Sequence, residues 1–295
     1  MLTRPSTPHS YLDTGSIIQV GVHLPHIGRK ATPEVITRAA VQAEELGLAD
    51  VWVSEHVILP KDAPYPPSPA FLEPILTLAW AAAATKRVRL GTSVIVLPMH
   101  HPVPIAKQLA TLQTLSNGRV IFGIGVGWLE AEFSALGVPF RERGRRTDES
   151  IALLRALWSQ DPVTFKPRYW ATQIEEMRMQ PPPSAPIPLW VGGSSDKALE
   201  RAVNLCDGWH GSRLSAEAAA PVIKRLRTLR PDKTFTISLR TSFDGKDPAE
   251  LGARLGAYRD AGADHIMVQP EDRHTDDWMR TVEKIARVAS VHQAS

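Results

Sequence analysis

The chain has 295 residues, 43% of them hydrophobic, and its 34 Lys and Arg against 31 Asp and Glu leave a formal charge of +3. The positive residues are scattered rather than aligned on one helix with aromatic partners, which argues against nucleic acid as a ligand. No run of eighteen uncharged apolar residues occurs, residues 1–13 lack the apolar centre of a signal peptide, and the single cysteine excludes an intrachain disulfide, so a cytoplasmic protein that spans no membrane is expected.

Strand-like and helix-like segments alternate along the chain. Ile17 to Pro25 reads as a strand. Pro33 to Gly47 reads as a helix with Thr32 as N-cap, and Asp50 to His56 as the second strand. A helix over Pro74 to Thr85, a strand over Val88 to Pro98 and a helix over Val103 to Leu115 follow. Arg119 to Trp128 is the fourth strand, trailed by helices over 130–136 and 141–159. Further strands are predicted over Pro188 to Val191, Gly208 to Gly211, Phe235 to Thr241 and His265 to Gln269, with helices over 196–206, 215–229, 248–261 and 276–289. Eight strands each followed by a helix imply parallel pairing through right-handed crossovers and predict an α/β fold closed as a (β/α)8 TIM barrel. The whole chain reads as a single domain, with residues 1–15 as a flexible N-terminus. Two segments interrupt the rhythm. The proline-rich stretch Lys61 to Pro69 predicts a rim loop, and residues 161–187 an insertion after helix four, a hairpin or a lid.

The fourth strand contains Gly123, Gly125 and Gly127 at alternate positions, so one face carries no side chains. Either a planar ring lies against that backbone or the glycines let a crowded barrel strand bend. In such a barrel the strand C-termini build the site. They offer His23 and His26, then Ser54, Glu55 and His56, then Ser93 and Val94, then Val126, Gly127 and Trp128, then Gly192, Gly193, Ser194 and Ser195. The Gly192–Ser195 turn before a helix suits a phosphate, or simply caps the helix. His56, if Trp52, Ser54 and His56 face the lumen, can move a proton; a hydrogen-bonded structural histidine is the alternative. His23, His26, His56, His100 and His101 raise the possibility of a metal, but His23 and His26 are three apart with a proline between them and do not share a strand face; no metal is expected. Neither a Gly-x-Ser-x-Gly elbow nor a Walker motif occurs, and Cys206 reads as a buried small hydrophobe. The Arg141, Arg143, Arg145 and Arg146 cluster reads as a solvated face or a hold on an anionic tail.

The run from Ala43 to His56, Arg89 to Pro98, the glycine strand continuing to Phe133 with Leu136 and Gly137, Arg141 to Trp158, and Pro188 to Ser194 together resemble the luciferase-like monooxygenase superfamily, in its branch of coenzyme F420-dependent oxidoreductases. The resemblance implies a TIM barrel with a flavin or deazaflavin ring across its mouth and the phosphate near the strand-five turn. Carried onto this chain, it makes Glu55 and His56 catalytic. It makes Ser54, Glu55, Ser93, Val94, Val126, Gly127 and Gly192 to Ser195 cofactor contacts, with Ser93-Val94 at the position of a non-prolyl cis peptide. His23, His26 and Trp128 would line a substrate pocket. The sugar-phosphate dehydrogenase members carry an acid in place of Trp128, so a sugar phosphate is not the expected substrate. The activity implied is hydride transfer between F420 and a small organic molecule, in a homodimer served by a separate reductase. The alternatives are an FMN-dependent monooxygenase using reduced flavin and oxygen, and a flavin-binding relative without catalysis.

Overall fold

A computed structural model describes residues 18–63, 65, 66, 68–271 and 275–293. The N-terminal segment expected to be flexible, and Ile17 of the first strand, lie outside the described residues. Strands β1 (Gln19–His23), β2 (Asp50–Val53), β3 (Arg89–Thr92), β4 (Ile95–Val96) and β5 (Val120–Gly125) alternate with helices α1 (Pro33–Glu45), α2 (Pro74–Ala84) and α3 (Pro102–Leu115). Helices α4 (Glu130–Ala135) and α5 (Arg143–Ser159) and the short strands β6 (Val163–Phe165) and β7 (Ile174–Met177) come next. The second half consists of β8 (Leu189–Gly192), α6 (Asp196–Leu205), β9 (Gly208–Ser212), α7 (Ala216–Leu229), β10 (Thr236–Phe243), α8 (Pro248–Asp260), β11 (His265–Pro270) and α9 (Thr275–Gln293).

The helices begin where their sequences direct. Thr32, Ser195, Ser215 and Asp247 accept backbone N–H groups of the first turns of α1, α6, α7 and α8, and proline occupies the first turn of α1, α2, α3 and α8, where its missing donor costs nothing. The main sheet runs β3-β2-β1-β11-β10-β9-β8-β5-β4, every pairing is parallel, and β3 also pairs with β5, which closes it. Since β3 and β4 form one interrupted stave, this is the eight-stave (β/α)8 barrel. Alternation sends Val51 and Val53 outward under the helices and Trp52 inward, where it meets Ile121, Trp190 and Met267 in the lumen.

The third strand is not the unbroken one expected over Val88 to Pro98. Leu90 pairs with Val120 and Gly91 with Ile121, but beyond the break Ile95 pairs with Ile124 and Val96 with Gly125, so this stave holds one more residue than its neighbour across the gap. That extra residue makes a bulge, and the Ser93–Val94 peptide within it is cis. The glycine face of β5 is what accommodates it. A Cβ on Gly123 would collide with the Thr92 carbonyl oxygen; on Gly125 it would lie 2.7 Å from Val94 Cγ2, and on Gly127 2.6 Å from Val96 Cγ1. The side-chain space of the strip is therefore filled by the neighbouring stave, as the packing alternative expects at Gly123, while the backbone of Gly125 and Gly127 still lines the barrel mouth. The fourth strand also ends at Gly125, leaving Val126 to Trp128 in the loop above it.

The insertion is a hairpin and not a lid. β6 and β7 pair antiparallel, Trp170 is buried with its indole N–H on Ser150 Oγ at 3.0 Å, and Lys107 and Gln113 of α3 donate to the carbonyls of Gln180, Ala185 and Pro186. The segment thus packs outside the barrel on α3 and α5. Of the arginine cluster, Arg146 stacks on Trp170 of this segment, and Arg143 stacks on Phe140. Among the described residues no helix is long and apolar enough to cross a membrane.

Gly123→Ala should lower stability by about 3 kcal/mol, the upper range of an overpacked core, because the methyl group meets a backbone carbonyl that cannot rotate away. Urea unfolding measures this; a midpoint equal to wild type would mean that the bulge does not rest on that face.

Candidate active site

The barrel mouth opens into a cavity of about 2240 Å³. Its walls bring together His23, Ser54, Glu55, His56, Ser93, Val94, Val126, Gly127, Trp128, Gly192, Gly193 and Ser194, every one of which was expected in the site. His26 and Ser195 are not among its lining residues.

His56 stands just past the end of β2, between the rings of Phe71 and Trp128, whose centroids lie 5.1 and 6.2 Å away. Its Nδ1 is 2.9 Å from Oε2 of Glu132, a buried carboxylate on α4. The other Glu132 oxygen accepts the backbone N–H of Val57 at 2.9 Å and of Ile58 at 3.4 Å. In the tautomer whose Nδ1–H donates to this carboxylate, Nε2 carries the lone pair, and it has no hydrogen-bond partner among the described residues. An imidazole oriented in this way by a carboxylate has the geometry that proton transfer requires. Glu132 lies 76 residues from His56, and the expected site did not include it.

Glu55 is buried and turned the other way. Its Oε2 accepts Val96 N–H at 2.8 Å and its Oε1 faces His100 Nε2 at 2.7 Å, so the carboxylate clamps the end of the bulged stave. Glu55 thus lines the cavity while both of its oxygens are hydrogen-bonded within the protein. Burial opposes a charge on His100, but the hydrogen bond and the negative charge of Glu55 prevail, and its pKa is raised above the ordinary 6.5.

His26 is also held within the protein. It is fully buried, with Nε2 2.8 Å from Ser54 O and Nδ1 3.2 Å from Leu24 O, and burial pushes its pKa down to about 4. It braces the turn after β1 instead of lining a substrate pocket. His23 lines the cavity with Nε2 3.1 Å from Ser54 Oγ and is kept neutral by burial, then by the nearby His26 and Arg240. Ser195 caps α6 through Ala198 N–H at 3.3 Å, leaving Gly192, Gly193 and Ser194 to face the cavity. Gly193 has φ +107°, and a Cβ there would lie 2.9 Å from the Ala198 Cβ, so the exposed backbone of this turn depends on glycine. Cys206 is buried, and burial pushes its thiol up to about 12, which leaves it inert.

Two arginines that the strand-end reading passed over also line the cavity. Arg240, from β10, donates Nη1 to the Ser93 carbonyl at 3.0 Å and Nη2 to Gln269. Arg213, after β9, lies 5.4 Å above the Tyr65 ring and has no acidic partner among the described residues. Both charges face a space large enough for a cofactor and a substrate together, and they favour a ligand bearing negative charge.

A sequence model of the luciferase-like monooxygenase family matches residues 15–289. The chain belongs to the luciferase-like monooxygenase family. An F420-dependent glucose-6-phosphate dehydrogenase of Amycolatopsis mediterranei is 33% identical over 243 residues, covering 74% of this chain and 69% of that protein. Among solved structures, a monooxygenase from Streptomyces bottropensis superposes with a TM-score of 0.79 at 21% identity, covering 93% of this chain and 99% of its own. An F420-dependent secondary alcohol dehydrogenase in complex with an F420-acetone adduct gives 0.77 at 17% identity, covering 92% and 99%. The structural likenesses show the shared barrel.

The His100–Glu55 pair gives the site a pH signature. A folded pKa above the unfolded value of about 6.5 contributes stability that is complete below that value and is lost as pH rises through the folded one. The stability difference between wild type and His100→Gln, from urea midpoints at several pH values, should therefore be largest in mild acid and shrink above neutrality. A difference that grows with pH would contradict the pairing.

Proposed function

We propose that this chain is an F420-dependent oxidoreductase that moves a hydride between the deazaflavin C5 and a small organic substrate, with His56 transferring the accompanying proton. The observation that carries the reading is the His56–Glu132 pair at the mouth of the cavity, which leaves Nε2 without a partner among the described residues in the cavity that the Ser93–Val94 bulge also lines. The F420-dependent relative at 33% identity supports the deazaflavin over a flavin.

The residues present fit such a cofactor. Val94, with Val126 and Gly127 beside it, offers an apolar surface for a planar ring, and Ser54 and Ser93 supply hydroxyls at its edge. The Gly192–Ser194 backbone, at the start of a capped helix and in the cavity that Arg213 also lines, suits the phosphate. When bound, F420 supplies a two-electron hydride carrier. His56 holds or accepts the substrate proton at Nε2, while Glu132 keeps the Nδ1 proton and stabilises the positive charge that arises on the ring. Glu55 positions the bulge by holding Val96 N–H, and takes no proton from substrate. Trp128 and His23 form part of the substrate wall, and the exposed indole of Trp128 suits an apolar or aromatic molecule. We further propose that the protein works in the cytoplasm as a homodimer and receives reduced cofactor from a separate reductase.

Titrating the ligand-free protein with F420 and with FMN, followed by quenching of cofactor fluorescence, tests the choice. Binding of F420 with weaker or no binding of FMN is expected. Tight FMN binding without F420 would overturn it in favour of a monooxygenase using reduced flavin and oxygen, and binding of neither would leave a protein without this catalysis. With F420 and a substrate in hand, His56→Ala should lower kcat by roughly 10²–10⁴-fold and leave the F420 Kd nearly unchanged. Equal losses in both would contradict a proton-transfer role.

A further inference from the structure

Behind the bulge, a continuous line of polar side chains runs through the barrel interior. Ser93 Oγ is 2.8 Å from His210 Nε2, His210 Nδ1 is 2.7 Å from Ser238 Oγ, Ser238 Oγ is 2.7 Å from His265 Nδ1, and His265 Nε2 is 2.8 Å from Asp50 Oδ1. All five residues are buried, yet Ser93 and His210 also line the mouth cavity. Strand register places the middle of the line on one level, since Ser238 pairs with both His210 and His265. The Trp52 ring lies flat on His210, with centroids 5.2 Å apart and planes 5° from parallel.

The far end fixes the direction of every hydrogen bond. Trp52 Nε1 also donates to Asp50 Oδ1, and Arg89 Nη2 donates to Oδ2 at 2.7 Å. Burial opposes the Asp50 charge; the positive charges of His265, when it is protonated, and of Arg89 favour it, as do the hydrogen bonds from His265 and Trp52, so the carboxyl stays ionised. Asp50 therefore only accepts. With His265 neutral, its Nε2–H points at Asp50 and its Nδ1 must accept from the Ser238 hydroxyl. Ser238 then accepts from His210 Nδ1–H, and His210 Nε2 accepts from the Ser93 hydroxyl. Ser93 is left presenting lone pairs to the cavity.

We propose that Ser93, His210, Ser238, His265 and Asp50 form a proton relay that exchanges one proton between the barrel mouth and a buried store at the His265–Asp50 pair. A proton delivered to Ser93 Oγ by a ligand or a cavity water breaks its bond there and forms a new Oγ–H. The hydroxyl's original proton passes to His210 Nε2, His210 Nδ1 releases its proton to Ser238 Oγ, and the Ser238 proton moves to His265 Nδ1. One proton enters, one is gained at His265, and no electrons change hands. The three bonds between Ser93 and His265 are then reversed while His265 Nε2–H still donates to Asp50, so Ser93 becomes a donor towards the cavity. His210 carries the proton through without holding it: burial, then the fields of His265 and Arg240, push its pKa down to about 3. The charged groups facing the store are Asp50 from β2, Arg89 from β3 and His210 from β9, with Arg240 of β10 beside His210; Asp264, next in sequence to His265, is paired outward with Arg227. Of the five, Ser93 is the group that would touch the ligand, and the others act through it. The relay depends on the F420 reading only for the identity of that ligand.

Imidazole nitrogen NMR of the ligand-free, full-length protein labelled with ¹⁵N-histidine tests the relay without any cofactor, so its failure is separate from failure of the F420 titration. At alkaline pH, His210 should be the Nδ1–H tautomer and His265 the Nε2–H tautomer. On acidification, His265 should gain its Nδ1 proton in the same titration in which His210 switches to Nε2–H. In Ser238→Ala, His265 should titrate without moving the His210 tautomer; should that variant fail to fold, the wild-type titration decides alone. A His210 that is Nε2–H while His265 is neutral, a His210 tautomer indifferent to His265, or a His265 that stays neutral until the protein unfolds would each overturn the relay.

Discussion

The site rests on one steric constraint, the absence of side chains from one face of β5. Because Gly123, Gly125 and Gly127 leave room, the adjacent stave accommodates an extra residue, and its bulge turns Ser93 and Val94 to the mouth. Close packing makes this an all-or-none matter, since even one methyl group at Gly123 would occupy the place of a backbone carbonyl. The bulge is then held from three further directions: Glu55 takes Val96 N–H, Arg240 holds the Ser93 carbonyl, and His210 holds the Ser93 hydroxyl. Backbone, carboxylate, guanidinium and imidazole converge on one short segment at the point where a planar ligand would rest.

Two carboxylates next to that segment show how environment assigns roles. Glu55 and Glu132 are both buried and each is paired with a histidine, but the pairs face different ways. Glu132 spends its second oxygen on the backbone of Val57 and Ile58 and so fixes a histidine whose other nitrogen meets the cavity. Glu55 spends its second oxygen on Val96 and pairs with His100 away from the reacting space. The first pair orients a ring that lines the cavity, and the second holds the end of the bulged stave.

The barrel was legible in the sequence because each stave carries its own local signal, an apolar run followed by a capped helix. That His56, Ser93, Val94 and the Gly192–Ser194 turn line one cavity was legible because a barrel gathers its strand ends at one mouth. What escaped was contact across the barrel. Glu132 lies 76 residues from His56, and the line from Ser93 to Asp50 visits five staves, so periodicity along any one strand cannot show which inward side chains meet. Ser195 and His26 were misplaced for a related reason: a hydroxyl at a helix start and an imidazole after a strand each have local backbone partners, which took them out of the cavity. The glycine strip was legible as missing side chains, but a sequence does not show that the adjacent stave fills that space.

The central claim is that the bulge is a platform for a deazaflavin ring served by His56. A crystal structure of the protein with F420 bound tests it most directly. The account predicts the ring against Val94, its reactive edge on the side of His56 Nε2, and the phosphate at the Gly192–Ser194 backbone. A ring bound away from the bulge, or one placed so that His56 cannot reach a substrate beside it, would contradict the account.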